Sequence, residues 1–200
     1  MTVIVGWWSE NGGGLAADRA ASRNGKMVEI RIPKVRAIPR IGGGNIIFGF
    51  TGCLYHDLFW RRVAEVDLND ISTPDIVNWL EQHLSEFGSW LRARGDGEVR
   101  DGIWTTRWEG LCLSKEGLFH LASYGEVTMV SPRSAEHSWA YSAVGSGSDV
   151  SLGVLYMAST VGYTKMDAVL PLAVEAANEE AAGCGFGVDM LVESWPVSKS

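Results

Sequence analysis

Strand-like alternation gives way to helical spacing twice along this chain, and that order limits the fold more than any other feature. Residues 2–8 are β-branched and aromatic, Asn11-Gly12-Gly13-Gly14 turns the chain, and residues 15–20 return as an apolar run, which predicts an opening β-hairpin. Residues 28–32, 34–38 and 45–51 read as further strands. Helical spacing follows over 53–66 and again from Thr73-Pro74, where Ile76, Trp79, Leu80, His83, Leu84, Phe87 and Leu91 recur on one face. Gly88 is a point of bending in that second helix. Beyond a polar loop at 92–100, strands are predicted over 108–113, 118–122, 127–130 and 139–144. Two more helices follow, 150–161 and 164–182, the latter opened by a Thr164-Lys165-Met166-Asp167 capping pattern and kinked at Pro171. Residues 186–193 form a last strand and 195–200 a tail. Strand runs with helix pairs between them predict an α+β protein in which helix pairs cover the outer faces of two stacked sheets, a four-layer αββα sandwich. At 200 residues the chain is expected to be one domain.

The charge balance removes several functions. Seventeen basic against 24 acidic residues leave a net charge of −7, the wrong sign for contact with nucleic acid or an anionic membrane. No apolar run approaches the roughly 18 residues of a membrane span and no basic leader opens the chain, so a soluble, cytoplasmic protein is expected. Cys53, Cys112 and Cys184 are too few and too scattered for a disulfide framework and read as buried thiols. His56, His83, His120 and His137 form no metal-binding spacing, and neither a GxSxG elbow nor a phosphate-binding loop is present. The nine tryptophans are accounted for by core and interface packing.

Chemistry enters at the N-terminus. Thr2 follows Met1, so loss of Met1 would leave a free α-amine on a residue that also carries a hydroxyl. Such an amine titrates at about 7.7 to 8.0, and near neutral pH it can accept the hydroxyl proton, making one residue both nucleophile and base. Asp18 lies 16 positions and Lys34 32 positions beyond Thr2. With Ala16-Ala17-Asp18-Arg19-Ala20-Ala21-Ser22 and Pro33-Lys34-Val35 at these intervals, the chain resembles the proteasome β-subunits and the HslV-type peptidases, members of the N-terminal nucleophile hydrolases. Ile46-Ile47-Phe48-Gly49-Phe50-Thr51-Gly52 is similar to that family's apolar strand ending in an oxyanion-hole glycine. Ala143-Val144-Gly145-Ser146-Gly147-Ser148 resembles its Gly-Ser-Gly motif. The likeness runs over about residues 2 to 194.

The resemblance implies a threonine peptidase that attacks peptide bonds of unfolded proteins through Thr2. Lys34 is then a fixed cation beside the hydroxyl, Asp18 holds Lys34, Gly49 donates its N–H to the oxyanion with one inserted residue in the count, and Ser146 neighbours the amine. The family's late Arg-Asp-x-x-Ser-Gly segment falls on residues 179–184, which gives Glu180 the aspartate's place, with Glu179 as the second candidate, and puts Gly183 where a serine is expected. Ala21, Ile32, Arg36, Ile47 and Thr51 carry over as the lining of a substrate side-chain pocket, with Ile47 at its base. The resemblance also implies a homo-oligomeric ring, an ATP-dependent unfoldase as a partner, and no metal or cofactor. The rival functions are a catalytically silent ring or scaffold subunit and a non-peptidase amidohydrolase.

Overall fold

The computed structural model describes residues 2–23, 26–30, 32–40, 44–52, 73–95, 97–100, 103–105, 108–123, 125–132, 138–163 and 165–195. The helix expected over 53–66 and the capping Thr164 lie outside the described residues. Two antiparallel sheets organise the rest. In the first, β1 (Val3–Ser9) lies between β12 (Trp139–Gly145) and β2 (Gly12–Asp18), and β13 (Val188–Ser194) pairs with the far edge of β2. In the second, the order is β11 (Val127–Met129), β10 (Gly117–Ala122), β9 (Glu109–Ser114), β6 (Asn45–Thr51) and β5 (Val35–Pro39). Two short hairpins stand apart, β3 (Ala20–Arg23) with β4 (Lys26–Glu29), and β7 (Glu98–Arg100) with β8 (Ile103–Thr105). Three helices are found among the described residues: α1 (Thr73–Ala93), α2 (Ser148–Thr160) and α3 (Met166–Glu180).

The pleat explains how these elements pack, because successive side chains of a strand face opposite sides. On β1, Ile4 joins Leu15, Ala17, Ile47, Leu111, Leu113 and Leu118 in a buried cluster drawn from both sheets. Val3, Val5 and Trp7, one step out of phase, join Tyr141 and the buried side of α2 and α3, including Leu155, Leu170, Ala173 and Val174. On β6, Ile47 takes the side shared by the sheets, whereas Phe48 and Phe50 pack with Ile76, Leu80, Leu84 and Phe87 of α1. The chain is therefore a mixed α/β protein whose antiparallel sheets carry helices on faces away from their shared cluster.

Several boundaries differ from the sequence expectation. The run 15–20 is divided, with β2 ending at Asp18 and β3 starting at Ala20, because the Asp18 carboxylate accepts the Ala20 N–H at 3.2 Å and turns the chain there. The strand expected at 28–32 lies earlier, at Lys26–Glu29. The polar stretch at 92–100 contributes β7, and α3 continues through Pro171 to Glu180. Gly88 is tolerated inside α1 on a side with nothing within 4 Å of where its Cβ would be. The tail does not begin at Trp195: that ring is buried in the cluster between the sheets, and its Nε1 donates to the Ser9 carbonyl at 3.0 Å.

Candidate active site

The site forms where β1 begins, β2 ends and the segment before β5 passes. Thr2 is 6% exposed, Asp18 0% and Lys34 3%, so three polar side chains meet out of water. That placement is costly unless every group is paired. The Asp18 carboxylate is fully engaged. Its Oδ1 accepts the Lys34 ammonium at 2.7 Å and the Val3 N–H at 3.0 Å, and its Oδ2 accepts the N–H groups of Ala20 and Gly185, each at 3.2 Å. Lys34 Nζ also donates to Thr2 Oγ1, and the Thr2 hydroxyl donates to the Ala20 carbonyl at 3.3 Å. Burial pulls the Lys34 ammonium below its ordinary value, with the charge and hydrogen bond of Asp18 opposing that pull. A cation held against a hydroxyl oxygen in a dry site favours the alkoxide over the alcohol.

The Thr2 main chain is held from the other side. Its carbonyl oxygen accepts the Ser146 N–H at 2.8 Å and the Ser146 hydroxyl at 3.3 Å. Gly145 permits this approach: its φ is +96°, and a Cβ there would collide with the Thr2 carbonyl. Ser146 Oγ is 3.7 Å from Cys184 Sγ, and burial pushes that thiol above its ordinary value. Arg19, just after β2, ties to the loop before β13 through its N–H to the Gly185 carbonyl at 3.1 Å, and to β13 itself through Nε to Asp189 Oδ1 at 2.7 Å.

Thr2, Asp18, Lys34 and Ser146 are thus brought together, whereas Gly49, Ile47, Glu179 and Glu180 make no hydrogen bond or ion pair with those side chains. Gly49 sits inside β6, opposite Val35 of β5 and Leu111 of β9, so its backbone groups face strand neighbours. A Cβ there would meet Ile4 Cγ2 at 2.8 Å, so the packing of β6 against Ile4 favours glycine at 49. Ile47 is buried in the cluster between the sheets. Glu179 and Glu180 are exposed at the end of α3, and Cys184 and Gly185 reach the site in their place. The residues of the late segment that touch the site are Cys184, against Ser146, and Gly185, against Asp18. Ala21 is buried beside Ala20, Arg36 and Thr51 are half-buried, and Ile32 is 48% exposed. Thr51 stands at the site end of β6, with its Cγ2 3.4 Å from where a Gly145 Cβ would be. Gly52, absent from the sequence assignment, follows it with φ +80° and is exposed. Among the described residues no group of His, Cys, Asp and Glu side chains could hold a metal ion, and no helix is long and apolar enough to cross a membrane.

No protein-family model matches the chain, and no curated protein does. Solved structures do. BPH of Thiobacillus denitrificans, a bacterial proteasome homologue, is 20% identical with a TM-score of 0.73, over 97% of this chain and 98% of that one. Eukaryotic HslV of Trypanosoma brucei is 16% identical with a TM-score of 0.64, over 95% and 98%. Anbu, the ancestral β-subunit of Yersinia bercovieri, is 14% identical with a TM-score of 0.66, over 96% of this chain and 81% of that one. Identities this low establish architecture and leave the chemistry to this chain's own residues. The chain has a proteasome-like fold, shared with these structures.

Proposed function

We propose that this chain is an N-terminal threonine peptidase that hydrolyses peptide bonds of unfolded proteins after Met1 is removed. The observation that carries the reading is the contact of Thr2 Oγ1 with the Lys34 ammonium, itself fixed by Asp18, among three largely buried side chains. In this reading the freed Thr2 amine takes the proton from Oγ as Oγ bonds to the peptide carbonyl carbon. The tetrahedral oxyanion collapses, the C–N bond breaks, and the amine passes its proton to the leaving nitrogen. Water then hydrolyses the ester and restores the hydroxyl. Lys34 stabilises the alkoxide electrostatically, Asp18 keeps Lys34 charged and oriented, and Ser146 fixes the Thr2 carbonyl and with it the direction of the amine. The left-handed turn at Gly52 supports its N–H, in place of that of Gly49, as the oxyanion donor. Ala21, Arg36, Thr51 and exposed Ile32 are retained as substrate contacts, and Ile47 is not.

The fold supports a wider context in the same reading: a single domain over 1–200, an αββα sandwich with helices on both outer faces, a homo-oligomeric cytoplasmic ring, and an ATP-dependent unfoldase that feeds it. One of the similar structures is BPH of Thiobacillus denitrificans in complex with epoxomicin. Thr2→Ala tests the assignment. Hydrolysis of a fluorogenic peptide amide is expected to vanish while the circular dichroism spectrum and thermal midpoint stay close to those of the parent. Unchanged hydrolysis would contradict it, and absence of hydrolysis in the parent itself would point to a silent ring subunit.

A further inference from the structure

Cys184 is a thiol beside the site that the mechanism above does not use. Its sulfur is 3.7 Å from Ser146 Oγ. It also lies against the turn that carries Ser146: a Cβ on Gly147 would come within 2.9 Å of Cys184 Sγ, 2.7 Å of Ala177 Cβ and 3.2 Å of Val3 Cβ. The next residue, Gly185, donates its N–H to Asp18 Oδ2 at 3.2 Å, so one dipeptide touches both the Ser146 side and the Asp18 side of Thr2. Proton direction follows from the partners. The Ser146 hydroxyl has a single hydrogen, and it is directed at the Thr2 carbonyl. With that hydrogen on the Thr2 carbonyl, the contact between sulfur and Ser146 Oγ is made by the thiol hydrogen, a weak but competent donor.

We propose that Cys184 is a positioning residue for the peptidase reaction, its thiol donating to Ser146 Oγ so that the Ser146 hydroxyl stays aimed at the Thr2 carbonyl and the nucleophile keeps its orientation. The inference rests on the peptidase reading and adds a residue to it. Burial keeps the thiol in its neutral, donating form.

The test compares wild type, Cys184→Ser, Cys184→Ala, Ser146→Ala and the Ser146→Ala/Cys184→Ala double variant on a fluorogenic peptide amide. Cys184→Ala is expected to lower kcat about two- to fivefold with KM unchanged, the scale of one weak hydrogen bond. Cys184→Ser, which restores a donor, stays close to wild type, and the double variant is no slower than Ser146→Ala alone. If Cys184→Ser falls as far as Cys184→Ala, or if Cys184→Ala costs the same factor with and without Ser146, the sulfur is packing only and the proposal is overturned. A wild type that neither turns over peptide nor takes a peptide epoxyketone adduct at Thr2 defeats the peptidase reading instead. The same proteins are then compared in thermal unfolding, where non-additive losses for Ser146→Ala and Cys184→Ala support the coupling and additive losses overturn it.

Discussion

Lys34 Nζ stands 2.7 Å from Asp18 Oδ1, and neither side chain reaches solvent. The pair differs from a surface ion pair because each charge, once buried, depends on the other. Asp18→Ala leaves the ammonium without its counter-charge and is expected to cost about 3 to 5 kcal/mol in urea denaturation. Lys34→Met leaves Asp18 with the N–H groups of Val3, Ala20 and Gly185 and is expected to cost less. Equal and small losses would show that both charges are solvated.

The same burial gives stability a pH dependence. Lys34 has a lower pKa in the fold than its value of 10.5 in the open chain, so over the interval ending at 10.5 the unfolded chain still holds a proton that the fold has released. Stability from this group therefore rises with pH across that interval. The buried thiols of Cys112 and Cys184 act with the opposite sign, since their raised values make the unfolded chain lose its protons first above 9.0. Subtracting the curve of Lys34→Met removes the Cys112 contribution, and placing both proteins in a Cys184→Ala background removes that of Cys184, whose thiol feels the Lys34 charge. The difference between wild type and Lys34→Met, measured by chemical denaturation, should move in favour of wild type as the pH approaches 10.5, and a flat difference would contradict the burial effect.

Gly145→Ala tests how tightly Thr2 must be held. The substitution combines a side chain at φ +96° with a clash against the Thr2 carbonyl, so the Ser146 contacts must give way. Peptide hydrolysis is expected to fall on the order of 10²-fold, the effect of misplacing a reacting group by about 1 Å. Activity near that of wild type would mean that the Ser146 contacts do not orient the nucleophile.

The two glycines of β6 and its end separate packing from catalysis. Gly49→Ala meets Ile4 at 2.8 Å and should lower the thermal midpoint, with turnover per folded molecule largely kept. Gly52→Ala strains a left-handed residue beside the site and should lower kcat, up to about 10²- to 10³-fold if its N–H is displaced from the oxyanion. The opposite pattern would return the oxyanion role to Gly49.

Much of this was legible in the sequence because it rests on local periodicity and fixed intervals. The alternation of Val3, Ile4 and Val5 dictates which side chains face the second sheet, and the spacings from Thr2 to Asp18 and Lys34 bring three polar groups to adjoining strand ends. What was not legible depended on geometry that spacing does not carry. Gly49 and Gly52 are both glycines near the end of an apolar strand, and only the pairing with Val35 and Leu111 puts the first inside the sheet. Counting back from Val188 assigned Glu180 to the site, but α3 ends at that residue and leaves it exposed. The turn after it brings Cys184 inward, and a lone cysteine gave no reason to look there.

The measurement closest to the central claim is the intact mass of the purified protein before and after treatment with a peptide epoxyketone, followed by mapping of the adduct. The account predicts loss of one methionine, gain of one inhibitor mass on Thr2, and no gain in Thr2→Ala. A protein that retains Met1 in active material, or that takes the inhibitor equally with and without the Thr2 hydroxyl, would contradict it.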